Sequence, residues 1–205
     1  MEIKNNKEEL PFEHYFDRYR KADTAEILKR LGGTVQQVED QLFVTLMSTV
    51  YAIKCPDSRL PQKNLFEPEP PLPVQTFLLR YLLEGKNIPW RGAWKTFREM
   101  PWGELYIQPY TGRVLTRAAF TFGTRIAKFR TASEKLEYRK LPHGDAGYQF
   151  RFLGDYHIQL MVWEGDDEFP PNAQVLYSDN FEKGFAPEDR VVAGDILISA
   201  IKALF

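Results

Sequence analysis

The sequence predicts an α+β fold of antiparallel β-hairpins packed against helices. Two hairpin patterns and a set of amphipathic stripes predict it. Tyr148, Phe150 and Phe152 alternate with polar neighbours, Gly154-Asp155 marks a turn, and Tyr156, Ile158, Leu160 and Val162 alternate again. That is the period-two pattern of a hairpin with one buried face. Leu42 to Leu46 and Val50 to Ile53 form a second β-prone pair, with the turn expected at Ser48-Thr49. Around these runs, apolar residues recur at helical spacing.

The elements follow in order. Phe12, Tyr15, Phe16 and Tyr19 share one helical face between Pro11 and Arg20. Asp23 stands at an N-cap position with Glu26 three residues on, and Ile27, Leu28 and Leu31 give the next stripe. Gly32-Gly33 stops it, because glycine accepts the left-handed C-cap conformation. Val35 and Val38 open the β-prone stretch, and Cys55-Pro56-Asp57 closes it. Five prolines between Leu60 and Pro73 demand an extended connection. Val74, Phe77, Leu78, Tyr81 and Leu82 make a helix that ends at Gly85. Residues 86–114 hold three of the four tryptophans, and a hairpin through Leu105-Tyr106-Ile107 is expected there. Leu115, Ala118, Ala119, Phe122, Ile126 and Phe129 form one long helical stripe, with Arg117, Arg125 and Lys128 on its other side. Gln174 to Tyr177 reads as a strand. Pro187, Glu188 and Asp189 suit the first turn of a last helix.

The expectation is a single globular domain over 1–205. It is open to a division into two pseudo-repeated α-β-β-α halves, 24–85 and 115–205, joined by the Trp-rich segment 86–114. Tyr51-x-Ile53 and Tyr156-x-Ile158 fall at matching places. Coincidence of common elements is the competing reading.

Composition bounds the function classes. Of 205 residues, 43% are hydrophobic and 14% aromatic, which excludes a mainly disordered chain. No apolar run reaches the length of a transmembrane helix. Met1 to Glu9 is polar and lacks a signal-peptide core, so the cytoplasm is the expected home. Cys55 is the only cysteine, which excludes an internal disulfide and a thiolate metal cluster. Charge is uneven: residues 86–140 carry 12 basic and 4 acidic side chains, and residues 141–205 carry 4 and 11. Either the two segments neutralise each other in the fold, or the basic one meets an anion, a nucleic acid or an acidic partner.

Candidate chemistry is sparse. His143 beside Asp145 could form a base and its orienter, or be ordinary loop polarity. Asp166, Asp167 and Glu168 form an acidic loop that Asp145 could join in space. Its oxygens suit a hard divalent cation, although no EF-hand spacing is present. No spacing supports a transition-metal site, and phosphate loops and nucleophile elbows are missing. Trp90 to Arg98 interleaves aromatics with cations, as a surface that stacks a planar ligand and pairs its anionic groups would. Aromatics filling the core with cations reaching to water is the alternative. A ligand site combining Trp94 and Arg98 with the acidic loop is the expectation.

Gly92-Ala93-Trp94-Lys95-Thr96-Phe97-Arg98-Glu99-Met100-Pro101-Trp102-Gly103 resembles the G-x-W-x-x-F-R-E-L-P-x-G signature of domain-of-unknown-function family 3786, a prokaryotic family. Leu78 to Leu83 resembles its L-x-Y-L-L helix. Gly144-Asp145-Ala146 and the run Trp163 to Pro170 resemble its later motifs. The resemblance covers the chain from about Ala25 onward. It implies no activity, and it marks Gly92, Trp94, Phe97, Arg98, Gly103, Asp145, Trp163, Asp166, Glu168 and Phe169. Members come largely from anaerobic bacteria and archaea. Some relatives add a four-cysteine iron–sulfur domain, which this chain with Cys55 alone does not match, so no cofactor is carried over. The resulting expectation is a non-catalytic ligand-binding or accessory module in such metabolism. It would take a small anionic or aromatic ligand, or a partner protein, through Trp94, Arg98, Asp145, Trp163, Asp166 and Glu168. An enzyme using carboxylates or a divalent metal through Asp145, Asp166 and Glu168 is the alternative. Nucleic-acid binding through the basic 113–140 segment is the weaker one.

Overall fold

A computed structural model describes residues 8–205, so most of the polar N-terminal stretch Met1 to Glu9 lies outside the described residues. The chain divides into two compact units, the first ending at Asn87 and the second running Ile88–Phe205. Nearly all of the Trp-rich segment 86–114 is thereby the opening of the second unit. No helix among the described residues is long and apolar enough to cross a membrane.

In the first unit, helix α1 (Glu9–Tyr19) buries Phe12, Phe16 and Tyr19, the face set by its sequence period. The Tyr19 hydroxyl donates to the Lys54 carbonyl at 2.8 Å. Helix α2 (Thr24–Leu31) is capped by Asp23, whose carboxylate accepts the Ala25 N–H at 2.9 Å. Gly33, at φ +89°, takes the left-handed turn that follows. Strands β1 (Val35–Val38), β2 (Gln41–Leu46), β3 (Thr49–Lys54) and β4 (Phe66–Glu67) form an antiparallel meander. Leu42, Val44, Leu46 and Ile53 are buried on one face, and Gln41, Phe43, Thr45, Ala52 and Lys54 alternate onto the other. The β2–β3 turn is Met47-Ser48, one residue earlier than expected. Both residues have positive φ, the mirror-image turn that matches strand twist, and Thr49 already pairs with Leu46. Helix α3 (Leu72–Glu84) starts with Pro73 in its first turn. Gly85 ends it, where a Cβ would lie 2.3 Å from the Tyr81 ring. Arg30 of α2 donates to the terminal carbonyls of Leu82 and Gly85, a cation on the negative end of α3.

The second unit holds β5 (Trp94–Lys95), helix α4 (Gly103–Tyr110), a π-helical segment (Thr111–Thr116), α5 (Arg117–Phe122) and α6 (Ile126–Ser133). Then come β6 (Tyr138–Leu141), β7 (Ala146–Leu153), β8 (Tyr156–Trp163), β9 (Asn172–Ser178), α7 (Phe181–Gly184) and α8 (Pro187–Lys202). Its strands pair antiparallel in the order β6-β7-β8-β9-β5. One face of this sheet, with Tyr148, Phe150, Ile158, Leu160, Val162, Val175 and Tyr177, is fully buried. The other stays partly open to water, as antiparallel sheets permit.

Two expectations are corrected here. The hairpin through Leu105-Tyr106-Ile107 is the helix α4. Three β-prone residues do not outweigh tertiary context: Leu105 points to solvent at 71% exposure, while Tyr110 is buried. Pro109 lies inside this helix and has no N–H to give the preceding turn, and the winding widens to the π form directly after it. The single long stripe from Leu115 to Phe129 is two helices, broken after Phe122. At Gly123 a Cβ would sit 2.5 Å from Pro171 and 2.8 Å from the Trp163 carbonyl, so the break is where a loop crosses bare backbone.

The order of elements recurs. Each unit contains a run of two helices, a four-stranded antiparallel meander and a closing helix: α1-α2-β1-β2-β3-β4-α3, and α5-α6-β6-β7-β8-β9-α8 with the short α7 before α8, the second unit placing β5, α4 and the π-helical segment ahead of this run. Tyr51 and Tyr156 both lie on the third strand of their meander.

Candidate functional site

The signature segment builds a closed turn. Gly92, at φ +94°, reverses the chain. The Ala93 carbonyl accepts the Trp90 indole N–H at 2.9 Å and the Asp179 N–H at 3.1 Å. Trp94 pairs with Ser178 and Lys95 with Tyr177. Phe97 is buried and stacks on Tyr110, centroids 4.1 Å apart and planes within 7°. The Glu99 carboxylate accepts the N–H and hydroxyl of Thr96 at 2.7 and 2.8 Å, which holds it below the usual carboxylate range. The Pro101 carbonyl accepts from Arg190 at 2.8 Å. Trp102 stands at φ +65° and is 69% exposed. Arg98 points outward, paired with Glu104 at 3.3 Å.

Trp94 lies on the open face of the second unit's sheet. Ser178, next to it, accepts the His157 N–H through its hydroxyl at 2.9 Å, and Arg151 pairs with His157 on the far side. The row therefore runs Trp94, Ser178, His157, Arg151. The next row is Leu176, Gln159, Gln149, Arg139. Trp90 covers the first row: its ring centroid is 4.9 Å from Trp94 and 5.0 Å from His157. The backbone beneath Trp90 is fastened by three polar side chains. Asp155 accepts the Trp90 N–H at 2.7 Å, and Asp179 accepts the Arg91 N–H at 3.1 Å. Asn180 donates to the carbonyls of Ile88 and Asp155 at 2.8 and 2.9 Å. A cavity of about 40 Å³ beside this loop, between Arg91 and Glu182, has room for water alone.

His157 and Asp155 form a pair that the sequence did not single out. The His157 Nε2 lies 3.5 Å from an Asp155 oxygen, and its side chain is only 15% exposed. Burial lowers its pKa, against the opposing pull of Asp155. The Ser178 hydroxyl does not complete a triad. It is buried, accepts the His157 backbone N–H and donates to the Asn180 amide oxygen at 2.6 Å. The pKa shift has a stability consequence. With the folded pKa below the ordinary value of 6.5, the unfolded chain binds more protons in that window, so stability rises with pH through it. The His157 contribution is complete above about pH 6.5 and falls as the pH drops toward the folded pKa. Urea midpoints measured across this range should decline toward acid, and His157→Gln should flatten that part of the profile. An unchanged slope in the variant would refute the assignment.

The acidic residues occupy the other end of the sheet. Trp163 pairs with Asn172 at the start of β9, and Trp94 with Ser178 at its end. Six residues of strand separate them, about 20 Å. The structure thus does not bring Trp94 and the acidic loop into one site, and Arg98, in the turn after Trp94, is paired with Glu104. It does join Asp145 to the loop, since one Asp145 carboxylate oxygen accepts the Glu164 N–H at 2.8 Å. Asp166 accepts the N–H groups of Glu168 and Phe169 at 2.9 and 2.7 Å, the self-closing geometry of an Asx turn. Glu168 is exposed. Among the described residues no group of three or more His, Cys, Asp or Glu side chains is arranged to hold a metal ion.

Trp90 belongs to the aromatic–basic segment expected to stack a ligand, and Asp155, His157, Asp179 and Asn180 complete the aromatic end without having been expected as site residues. His157 left one trace in the sequence: it stands out of phase with the apolar positions of its strand and so must face the open side.

A family model described as Domain of unknown function (DUF3786) matches residues 23–200. No curated protein and no solved structure matches the chain.

Proposed function

The chain belongs to the DUF3786 family, and from its own geometry we propose that it is a recognition module that takes a planar, anionic small ligand on the open sheet face around Trp94. The observation that carries this reading is the Trp90–Trp94–His157 cluster. Three rings are held at van der Waals distance on an open face, with the Arg91 guanidinium at its edge and, in the same row, Arg151, which already donates to the Gly154 carbonyl at 3.0 Å and stands 3.5 Å from Glu137. Aromatic planes supply stacking, and guanidinium groups pair anionic substituents. The two nearest carboxylates, Asp155 and Asp179, are occupied by backbone N–H groups. Their residual charge is therefore directed into the loop rather than toward a ligand.

The carboxylate-enzyme reading has less support. The Asp145 and Asp166 oxygens are engaged by their own loop's backbone N–H groups. Nucleic-acid binding through 113–140 meets a similar objection. Arg113 and Arg117 both pair with Asp195, Lys140 pairs with Glu134 at 2.7 Å, and Arg130 donates to the Asp145 carbonyl. A cytoplasmic setting in prokaryotic metabolism remains part of the proposal.

Tryptophan fluorescence with flavin mononucleotide, nucleoside monophosphates and aromatic carboxylates tests it. At least one should quench saturably, and Trp94→Ala should weaken that ligand about tenfold, ~1.4 kcal/mol, without lowering the urea midpoint by more than the lost packing. Absence of saturable quenching by every member, or unchanged affinity in the variant, would overturn the reading.

A further inference from the structure

The first unit carries a cavity of about 430 Å³, lined by Gln41, Ala52, Lys54, Asn64, Leu65, Phe66 and Glu67. Sites for small molecules span about 300–1,000 Å³. The sheet register explains the hollow. Ala52 pairs with Phe43 on one side and Glu67 on the other, and Lys54 pairs with Gln41. The Lys54 N–H also donates to the Leu65 carbonyl at 3.1 Å. Alternation puts Gln41, Ala52, Lys54 and Glu67 on one face. The small Ala52 at the centre leaves a dent among longer side chains. Asn64, at φ +57°, turns the chain at the rim, a conformation asparagine tolerates better than most residues.

The polar groups around this dent are uncommitted. Among the described residues, no hydrogen bond or ion pair engages the side chains of Gln41, Lys54, Asn64 or Glu67. Lys54 and Glu67 do not pair with each other either. They are diagonal neighbours two residues apart along the ladder, a separation of about 7–8 Å. One cation and one anion thus face the same hollow from opposite sides over an apolar floor of Ala52 and Leu65, while Phe66, paired with Ile53, contributes backbone to the rim and turns its ring to the buried face. A simple anion would meet Glu67, and a simple cation would meet Lys54. A small zwitterion satisfies both.

We propose that this cavity binds a free α-amino acid, with its carboxylate at Lys54, its ammonium at Glu67 and its side chain against the apolar floor. Gln41 and Asn64 can serve either end, since each amide both donates and accepts. The site lies wholly in the first unit and stands independently of the aromatic face around Trp94.

Calorimetric titration of the full chain with free L-amino acids tests it, each beside its carboxamide, which lacks the carboxylate, and its deaminated carboxylic acid, which lacks the ammonium. At least one amino acid should bind saturably at millimolar concentration, and its two single-charge analogues about tenfold more weakly. Lys54→Met and Glu67→Gln should each weaken binding about tenfold while leaving the urea midpoint in place. Trp94→Ala should leave this binding unchanged. No saturable heat from any amino acid, equal affinity for the analogues, or full affinity in both variants would overturn the proposal.

Discussion

Replacing Arg190 by methionine should remove about 3 kcal/mol of stability from the second unit, the scale of leaving one buried and two part-buried carbonyls without their donor. Arg190 is 2% exposed, and its guanidinium serves carbonyls from two separate stretches of chain. Its Nε donates to Phe185 at 3.1 Å, one terminal nitrogen to Glu182 at 2.8 Å and the other to Pro101 at 2.8 Å. Burial lowers its pKa, with Glu182 and Asp189 opposing the shift. Methionine fills similar space but donates nothing, so the buried Phe185 carbonyl loses its partner at about 1–3 kcal/mol before relaxation, and the part-buried Glu182 and Pro101 carbonyls lose theirs at the lower end of that range. Arg190→Lys should recover only part of the loss, because an ammonium cannot reproduce a planar fork. Both variants are read by urea unfolding followed by far-UV circular dichroism. A loss below about 1 kcal/mol in Arg190→Met would mean that water reaches the carbonyls and that the guanidinium is not what fastens the signature turn to α7 and α8.

Arg190 also shows where the sequence stops being informative. In the sequence it is one cation in the first turns of a good helix, and nothing local distinguishes it from a solvated residue. Its role depends on Pro101, 89 positions away. Elements whose cause is local were legible. Asp23 caps α2 in its own turn, Gly85 ends α3, and Gly154-Asp155 joins two alternating strands. Elements whose cause is distant were not. Leu105 to Ile107 looks like a strand until Phe97 is seen stacked on Tyr110, and the break after Phe122 exists because Pro171 crosses there. The candidate site divides the same way. Trp94 was legible as an aromatic among cations, but its neighbours Asp155, His157 and Asn180 arrive through strand pairing. The separation of Trp94 from Asp166 is a property of β9, which no spacing in the sequence encodes. Charge was partly legible. The basic middle and acidic end do meet, as Lys95–Glu182 at 2.5 Å and Arg117–Asp195 at 2.9 Å.

Gly103→Ala should cost about 3 kcal/mol or more, at or above the upper end for overpacking a core. A Cβ there would lie 2.1 Å from the Phe97 carbonyl oxygen and 2.9 Å from the Arg98 Cα. Both are backbone atoms, so no rotamer change relieves the clash, and the turn from Phe97 to Trp102 must open. Opening it displaces Phe97 from Tyr110 and pulls Pro101 away from Arg190, so the cost spreads into the core. Gly112→Ala is the matched control. A Cβ there meets nothing within 4 Å, and alanine in a helical segment is worth up to about 1 kcal/mol over glycine. The two substitutions add the same methyl nine residues apart and should differ in sign. Urea midpoints give the energies, and near-UV circular dichroism reports whether the Phe97–Tyr110 stack survives. If Gly103→Ala folds with an unchanged midpoint, the glycine that closes the family signature is not a packing requirement, and a ligand approaching that backbone becomes the reason for it. If the midpoint collapses as expected, most of the signature is accounted for by the turn itself. Phe97, Glu99, Pro101 and Gly103 then belong to the fold, and Trp94, which the turn presents on the open sheet face, and the outward-pointing Arg98 are the signature side chains left to carry recognition.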